Sequence, residues 1–303
     1  MRICTERAAP VIYDIKLALG YDYVGSAGAG RHLVRVLPLE VPGQQRLVAG
    51  EVRIDPAPEE RRDRRDFFGN HLVEFSFRAA HDSLDLVMLA RIIRQASALT
   101  EDRSTGFAML ARDLAACRDL GPGSPLHMVA ASPRVVPDAP TAVFARDLLQ
   151  PGQTSLEVVQ AVGRALHDHM TFDPDATEVD TPLAEAFASR KGVCQDYSHI
   201  LIACLRGVGV PAGYVSGFLR TEPPPGKSRL EGADAMHAWV RAWCGAQVGW
   251  VEYDPTNACM VGCDHIVVAY GRDYSDVAPI KGILRVSGRQ NGRQAVDVMP
   301  LAD

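Results

Sequence analysis

The chain has 303 residues, 47% of them hydrophobic and 23% charged, with a formal net charge of −5 at pH 7. Domains usually run about 100–200 residues, so two domains with real cores are expected, and a disordered or collagen-like chain is excluded. The acidic balance argues against a nucleic-acid partner held by bulk positive charge, and the preference for arginine over lysine reads as compositional bias.

The opening Met-Arg-Ile-Cys-Thr-Glu-Arg lacks the apolar run of a secretory signal, and no stretch approaches the roughly 18 apolar residues of a membrane span. A soluble, cytoplasmic protein with no membrane partner is therefore expected. Seven scattered cysteines, an odd number, fit free thiols in a reducing compartment better than a disulfide framework.

The first third reads as β-structure. Tyr13–Leu19 and His32–Leu39 alternate apolar and variable positions, and the Gly25–Gly30 stretch between them reads as a flexible strand connection. It precedes a strand rather than a helix, so it is not a phosphate loop. Further strands are expected at Arg46–Ile54, His71–Arg78 and Leu84–Leu89. The run Arg61-Arg62-Asp63-Arg64-Arg65-Asp66 reads as a solvated loop. Residues 1–95 thus suit a β-sandwich-like domain. Residues 96–150, with Pro122, Pro125, Pro133, Pro137 and Pro140, read as an irregular connecting segment. Residues 151–303 form a second unit. Thr154-Ser155 precedes Leu156, Val158, Val159, Val162 and Leu166 at helical spacing, and a short helix fits Pro182–Arg190.

The chemistry concentrates in Lys191–Phe218. Ile200, Leu201, Cys204, Leu205 and Val208 make an apolar helical stripe, stopped by Gly207, Gly209 and Pro211. Cys194 falls at the start of this helix, where unpaired backbone N–H groups favour a thiolate and could bind a developing oxyanion. Downstream, Ala235–Trp243 alternates like a strand and contains His237; Gly249–Asn257 is a second strand ending at Asp254-Pro255. With a turn at Gly245–Gly249 the two form an antiparallel pair, so the His237 imidazole and the Asp254 carboxylate can meet across it.

The blocks Gly192-Val193-Cys194-Gln195-Asp196, Met236-His237-Ala238-Trp239-Val240 and Trp250–Asn257, in this order, resemble the transglutaminase-like superfamily. The resemblance implies an α+β protein with a papain-like catalytic core. By it, Cys194 is the nucleophile, His237 the general base and acid, and Asp254 the residue orienting His237. Asp264–Pro279 is similar to the tail of the bacterial members, with Tyr270 where a smaller residue is expected. Residues 13–90, with Gln44-Gln45 and Phe68-Gly69-Asn70, are similar to the β-rich domain that precedes their core.

Several residues carry two readings. Gln195 is read as a substrate-amide ligand or a structural residue, and Trp239 and Tyr214 as cleft wall or core. Asp196 should point outward or be tied to a backbone or arginine donor, away from Cys194. Cys4, Cys117, Cys204 and Cys244 are read as buried small hydrophobes. Cys259, Cys263 and His265 raise the question of zinc, but a fourth ligand is missing, so no metal and no cofactor are expected. His167 and His169 read as a solvated helix end. The loop Thr221–Gly232, with Pro223-Pro224-Pro225-Gly226, reads as a flap or an inert surface loop.

The function expected from these residues is a thiol-dependent amide hydrolase acting on a peptide or protein through a thioester. A transamidase and a non-catalytic binding module are the competing readings. The oligomeric state stays open.

Overall fold

The computed structural model describes residues 10–95, 101–221, 232, 234–286 and 288–301. Cys4 and the Pro223–Gly226 loop lie outside them.

The N-terminal sheet is built on one long strand, β1 (Val11–Val34), whose residues Val11, Tyr13, Ile15, Leu17 and Leu19 are all buried at period two. β2 (Gln45–Asp55), β3 (Glu60–Arg65), β4 (His71–Phe77) and β5 (His81–Arg94) complete the order β2-β5-β1-β4-β3. Two sequence expectations change here. The Gly25–Gly30 stretch is not a connection: β1 runs through it, with register shifts between Asp22 and Ala27 and between Gly28 and Arg31. Those irregularities let one strand pair β5 along its first half and β4 along its second. The arginine-aspartate run is not a loop either. It is β3, exposed at every position and paired to β4, and charge on an edge strand discourages further pairing.

The middle of the chain is less irregular than its prolines suggest. It contains α1 (Phe107–Ala116), a 3-10 turn at Pro125–Met128 and α2 (Ala139–Arg146). Pro140 sits in the first turn of α2, where its missing N–H costs nothing, and the Asp138 side chain caps the Thr141 N–H at 2.9 Å.

α3 (Ser155–His169) opens with the reciprocal capping pair Thr154 and Glu157. The two-residue strands β6 (Thr171–Phe172) and β7 (Lys191–Gly192) pair in parallel on either side of α4 (Leu183–Ser189). α5 (Cys194–Gly207) follows and is buried almost throughout. It packs against β8 (Ala212–Leu219) and β9 (Ala235–Trp243), with α2, α3 and α4 around it. The five-stranded sheet beneath has the order β11-β10-β9-β8-β12, adding β10 (Trp250–Asp254), β11 (Cys259–Met260) and β12 (His265–Gly271). The β9–β10 pair is the expected hairpin, with Trp243 opposite Trp250. His169, at the helix end, is half-buried: its ring stacks on Phe187 at 5.0 Å and lies 5.2 Å from Phe144.

After α6 (Tyr274–Val277) the chain returns to the N-terminal sheet. β13 (Ile280–Val286) and β14 (Gln290–Pro300) both pair antiparallel with β1, from Val34 back to Tyr13. Residues 280–300 therefore complete the first sheet rather than the second unit, to which the sequence assigned everything after 150. One apolar cluster runs from β1 through α5 to β10, so the two sheets share a core.

Candidate active site

Cys194 is the first residue of α5, after the extended residue Val193. Valine has no side-chain acceptor, and helix geometry leaves the N–H groups of Cys194 and Gln195 without an intrahelical partner. Asp196 supplies the reciprocal half of a cap. Its Oδ2 accepts from the Val193 N–H at 2.8 Å and from the Thr177 hydroxyl at 2.6 Å. The carboxylate is thus tied to backbone, as one sequence reading expected. It packs so closely on Gly192 that a Cβ there would lie 2.6 Å from Oδ2, which is why glycine stands two residues before the cysteine.

His237 lies on β9 and Asp254 at the end of β10, and the structure brings His237 to Asp254 on one side and near Cys194 on the other. His237 Nε2 is 2.7 Å from Asp254 Oδ2, and the ring is near enough to Cys194 for the two to interact electrostatically. With Nε2 on the carboxylate, Nδ1 is the nitrogen left for sulfur. Burial would push the imidazole down, but the Asp254 charge, its hydrogen bond and the Cys194 contact outweigh that and raise it to about 10. Asp254 is itself fully buried. Burial would push its carboxyl up; the His237 charge and the hydrogen bonds from His237 and His265 hold it far below the usual carboxylate range.

The surroundings of Asp254 are richer than the sequence suggested. Oδ2 also faces His265 Nε2 at 3.1 Å and accepts from Asn257 Nδ2 at 2.7 Å. Oδ1 accepts from the backbone N–H groups of Thr256 and Asn257 at 2.9 and 3.2 Å. Every acceptor site of the carboxylate is engaged, which is what allows a buried charge.

His237, Asp254 and His265 are also the one group of described residues whose ligand atoms lie close enough for a metal ion. The hydrogen bonds argue otherwise. His265 Nδ1 accepts from the Gly262 N–H at 3.3 Å, so the ring proton sits on Nε2 and points at Asp254. A ligating histidine needs a lone pair at the metal and a donor at its other nitrogen, the reverse arrangement. His265 is committed to Asp254, and the zinc reading of Cys259, Cys263 and His265 loses its histidine.

The residues read as substrate ligands stand differently. Trp239 is fully buried; its Nε1 donates to Glu252 Oε2 at 2.7 Å and its ring meets His265 edge-on at 5.3 Å. It is core beneath the histidines, not cleft wall. Tyr214 is 2% exposed and packs beside His199 at 5.1 Å, so it too is core. Gln195 donates from Nε2 to the Val179 carbonyl at 3.0 Å, which ties the first turn of α5 to the segment before α4. Tyr270 explains its own size. Its hydroxyl donates to Glu252 Oε1 at 2.7 Å, and its ring lies 4.4 Å below the Arg241 guanidinium, which Trp250 covers on the other side at 4.5 Å.

The site thus sets a cysteine at a helix start beside a histidine held by an acid on an adjacent antiparallel strand. Residues 142–255 match the transglutaminase-like superfamily, and residues 13–92 match the bacterial transglutaminase-like N-terminal region. The chain belongs to the transglutaminase-like superfamily and carries the bacterial N-terminal region. An uncharacterized protein of Mycobacterium tuberculosis is 36% identical over 264 residues, covering 85% of this chain and 83% of its own. One of Mycobacterium leprae is 38% identical over 148 residues, covering 48% of this chain and 51% of its own. The chain is also similar in structure to "a Putative Cysteine Protease from Cytophaga hutchinsonii". The TM-score is 0.75 at 17% identity, covering 97% of this chain and 92% of that one, a likeness of fold. Among the described residues, no helix is long and apolar enough to cross a membrane.

Proposed function

We propose that the protein is a thiol-dependent amide hydrolase in which Cys194 is the nucleophile, His237 the base and acid, and Asp254 the residue that orients His237. One observation carries the reading: a cysteine at a helix start lies beside a histidine whose Nε2 is 2.7 Å from a fully satisfied buried carboxylate. A scaffold has no use for a buried charge satisfied at this cost, which weighs against a non-catalytic module.

The thiol proton passes to His237, and sulfur attacks the carbonyl carbon of a peptide or protein amide. The N–H groups of Cys194 and Gln195 are free to receive the oxyanion. His237 then protonates the nitrogen as the C–N bond breaks, leaving a thioester and a free amine. Water, deprotonated by His237, attacks the thioester; the C–S bond breaks, the acid leaves and the thiol is restored. A primary amine in place of water would make the same residues a transamidase. The triad does not encode that choice, and the abundance of water in the cytoplasm proposed for this protein favours hydrolysis.

The test is incubation of glutaminyl peptides and a short-peptide library with and without a primary amine, read by mass spectrometry, with Cys194→Ala as control. Cleavage dependent on Cys194 is expected. Amine incorporation that outcompetes cleavage would reverse the order of the two reactions, and activity surviving in Cys194→Ala would remove this nucleophile.

A further inference from the structure

β12 is the edge strand of the catalytic sheet, and its outer edge is met by side chains of the N-terminal domain and by the Leu39 backbone N–H, which donates to the Val267 carbonyl at 3.0 Å, rather than by another strand. Gln45 lies against Val267 as a neighbouring strand would: its Oε1 accepts from the Val267 N–H at 2.9 Å and its Nε2 donates to the Val267 carbonyl at 2.7 Å. Three residues on, Asn70 repeats the pattern at Tyr270, accepting at 2.8 Å and donating at 2.8 Å. At the start of the strand, the buried Arg94 donates from Nε to the His265 carbonyl at 2.8 Å. Tyr13 donates its hydroxyl to Asp264 at 2.9 Å. Three side chains, from β2, β5 and the turn before β4, thus fix the backbone from 265 to 270, and Tyr13 of β1 holds the Asp264 side chain beside it. His265, the first residue of the clamped strand, carries the second imidazole on Asp254.

We infer that His265 is a positioning residue for the Cys194–His237 pair, and that the N-terminal domain is part of the catalytic apparatus because it sets the strand that aims His265 at Asp254. This rests on the function proposed above. The Thr256 and Asn257 N–H groups hold Oδ1 of Asp254, and two further donors, His265 Nε2 and Asn257 Nδ2, hold Oδ2 where it faces His237. Domain separation would expose the edge of β12, release His265 and free the carboxylate to turn.

The experiment measures the second-order rate of iodoacetamide alkylation at Cys194 near pH 7, by peptide mass spectrometry, with Cys117 in the same molecules as reference. His265→Leu removes the donor and should slow Cys194 about tenfold, the worth of one hydrogen bond to a charged group, while Cys117 is unchanged. His265→Gln places an amide nitrogen near the position of Nε2 and should restore the rate to within about threefold. Asn70→Ala lies outside the site, and it should slow Cys194 at least about threefold through loss of two buried hydrogen bonds to β12. A folded His265→Leu alkylated at the wild-type rate overturns the inference, as does His265→Gln as slow as His265→Leu. If His265→Leu does not fold, Asn70→Ala decides: an unchanged rate overturns the role of the domain, a slowed rate supports it. Wild-type Cys194 no faster than Cys117 defeats the proposed function itself, whereas a fast wild type with indifferent His265 and Asn70 variants defeats only this inference.

Discussion

Replacing Asp254 by asparagine removes one charge and almost no volume, which makes Asp254→Asn the sharpest test of the site. In the wild type the ring of His237 is held up at about 10 against an ordinary 6.5, which corresponds to about 5 kcal/mol in favour of the charged imidazole. Without the carboxylate charge, burial is opposed only by the neighbouring Cys194, so the imidazole is driven down and loses both its charge and the group that orients it. An amide also meets donors in either orientation: two side-chain N–H groups besides His237 on one side, two backbone N–H groups on the other. A further loss of roughly 2–4 kcal/mol of folding stability is expected from the facing donors. Alkylation of Cys194 at pH 7 should fall roughly 100-fold or more. Stability carries a second signature. A ring raised from 6.5 to about 10 contributes stability that is complete below pH 6.5 and is lost as pH rises toward 10. Urea unfolding of the wild type should therefore weaken over that window, and Asp254→Asn should lack this component. A folded Asp254→Asn with wild-type alkylation from pH 5 to 9 would refute the electrostatic reasoning.

Other expectations follow from single contacts. A Cβ at Gly163 would meet Cδ1 of Tyr253 at 2.7 Å and Cε1 closer still, so Gly163→Ala should cost about 1–3 kcal/mol in urea unfolding and slow Cys194 alkylation by displacing the residue before Asp254. No change in either would mean that α3 and β10 yield without strain. Asp196→Ala removes acceptors from the Val193 N–H and the Thr177 hydroxyl, and should lower stability by about 1–3 kcal/mol, read by thermal melting. His199 is buried and accepts from the Tyr274 N–H at 3.2 Å; burial first, and the nearby Arg134 and Arg206 charges, outweigh Asp273 and push its ring down to about 4. Between pH 6.5 and 4 the unfolded chain binds a proton there that the folded chain refuses, so stability falls with acid by about 1.4 kcal/mol per pH unit. His199→Gln should remove that part of the slope, measured as urea midpoints at three pH values.

What the sequence determined alone was local or carried by order along the chain. The period-two burial of Tyr13–Leu19, the Thr154 cap, the stop of α5 at Gly207–Pro211 and the β9–β10 hairpin follow from side-chain spacing and turn chemistry, which neighbours decide. Cys194, His237 and Asp254 were legible because three short blocks in one order left little freedom in where they could meet. The tertiary structure alone decided the rest. Whether Arg61–Arg65 is loop or strand depends on β4 offering an edge, and whether residues 280–300 serve one sheet or the other depends on β1, more than 250 residues away at the β14 end. Trp239 and Tyr214 became core because of what covers them, a property no alternation records. The second histidine on Asp254, and the amides of Gln45 and Asn70 that stand in for a strand beside β12, are single side-chain contacts across 11, 222 and 200 residues. Periodicity reports which face of an element is buried; it carries nothing about which distant donor a buried acceptor finds.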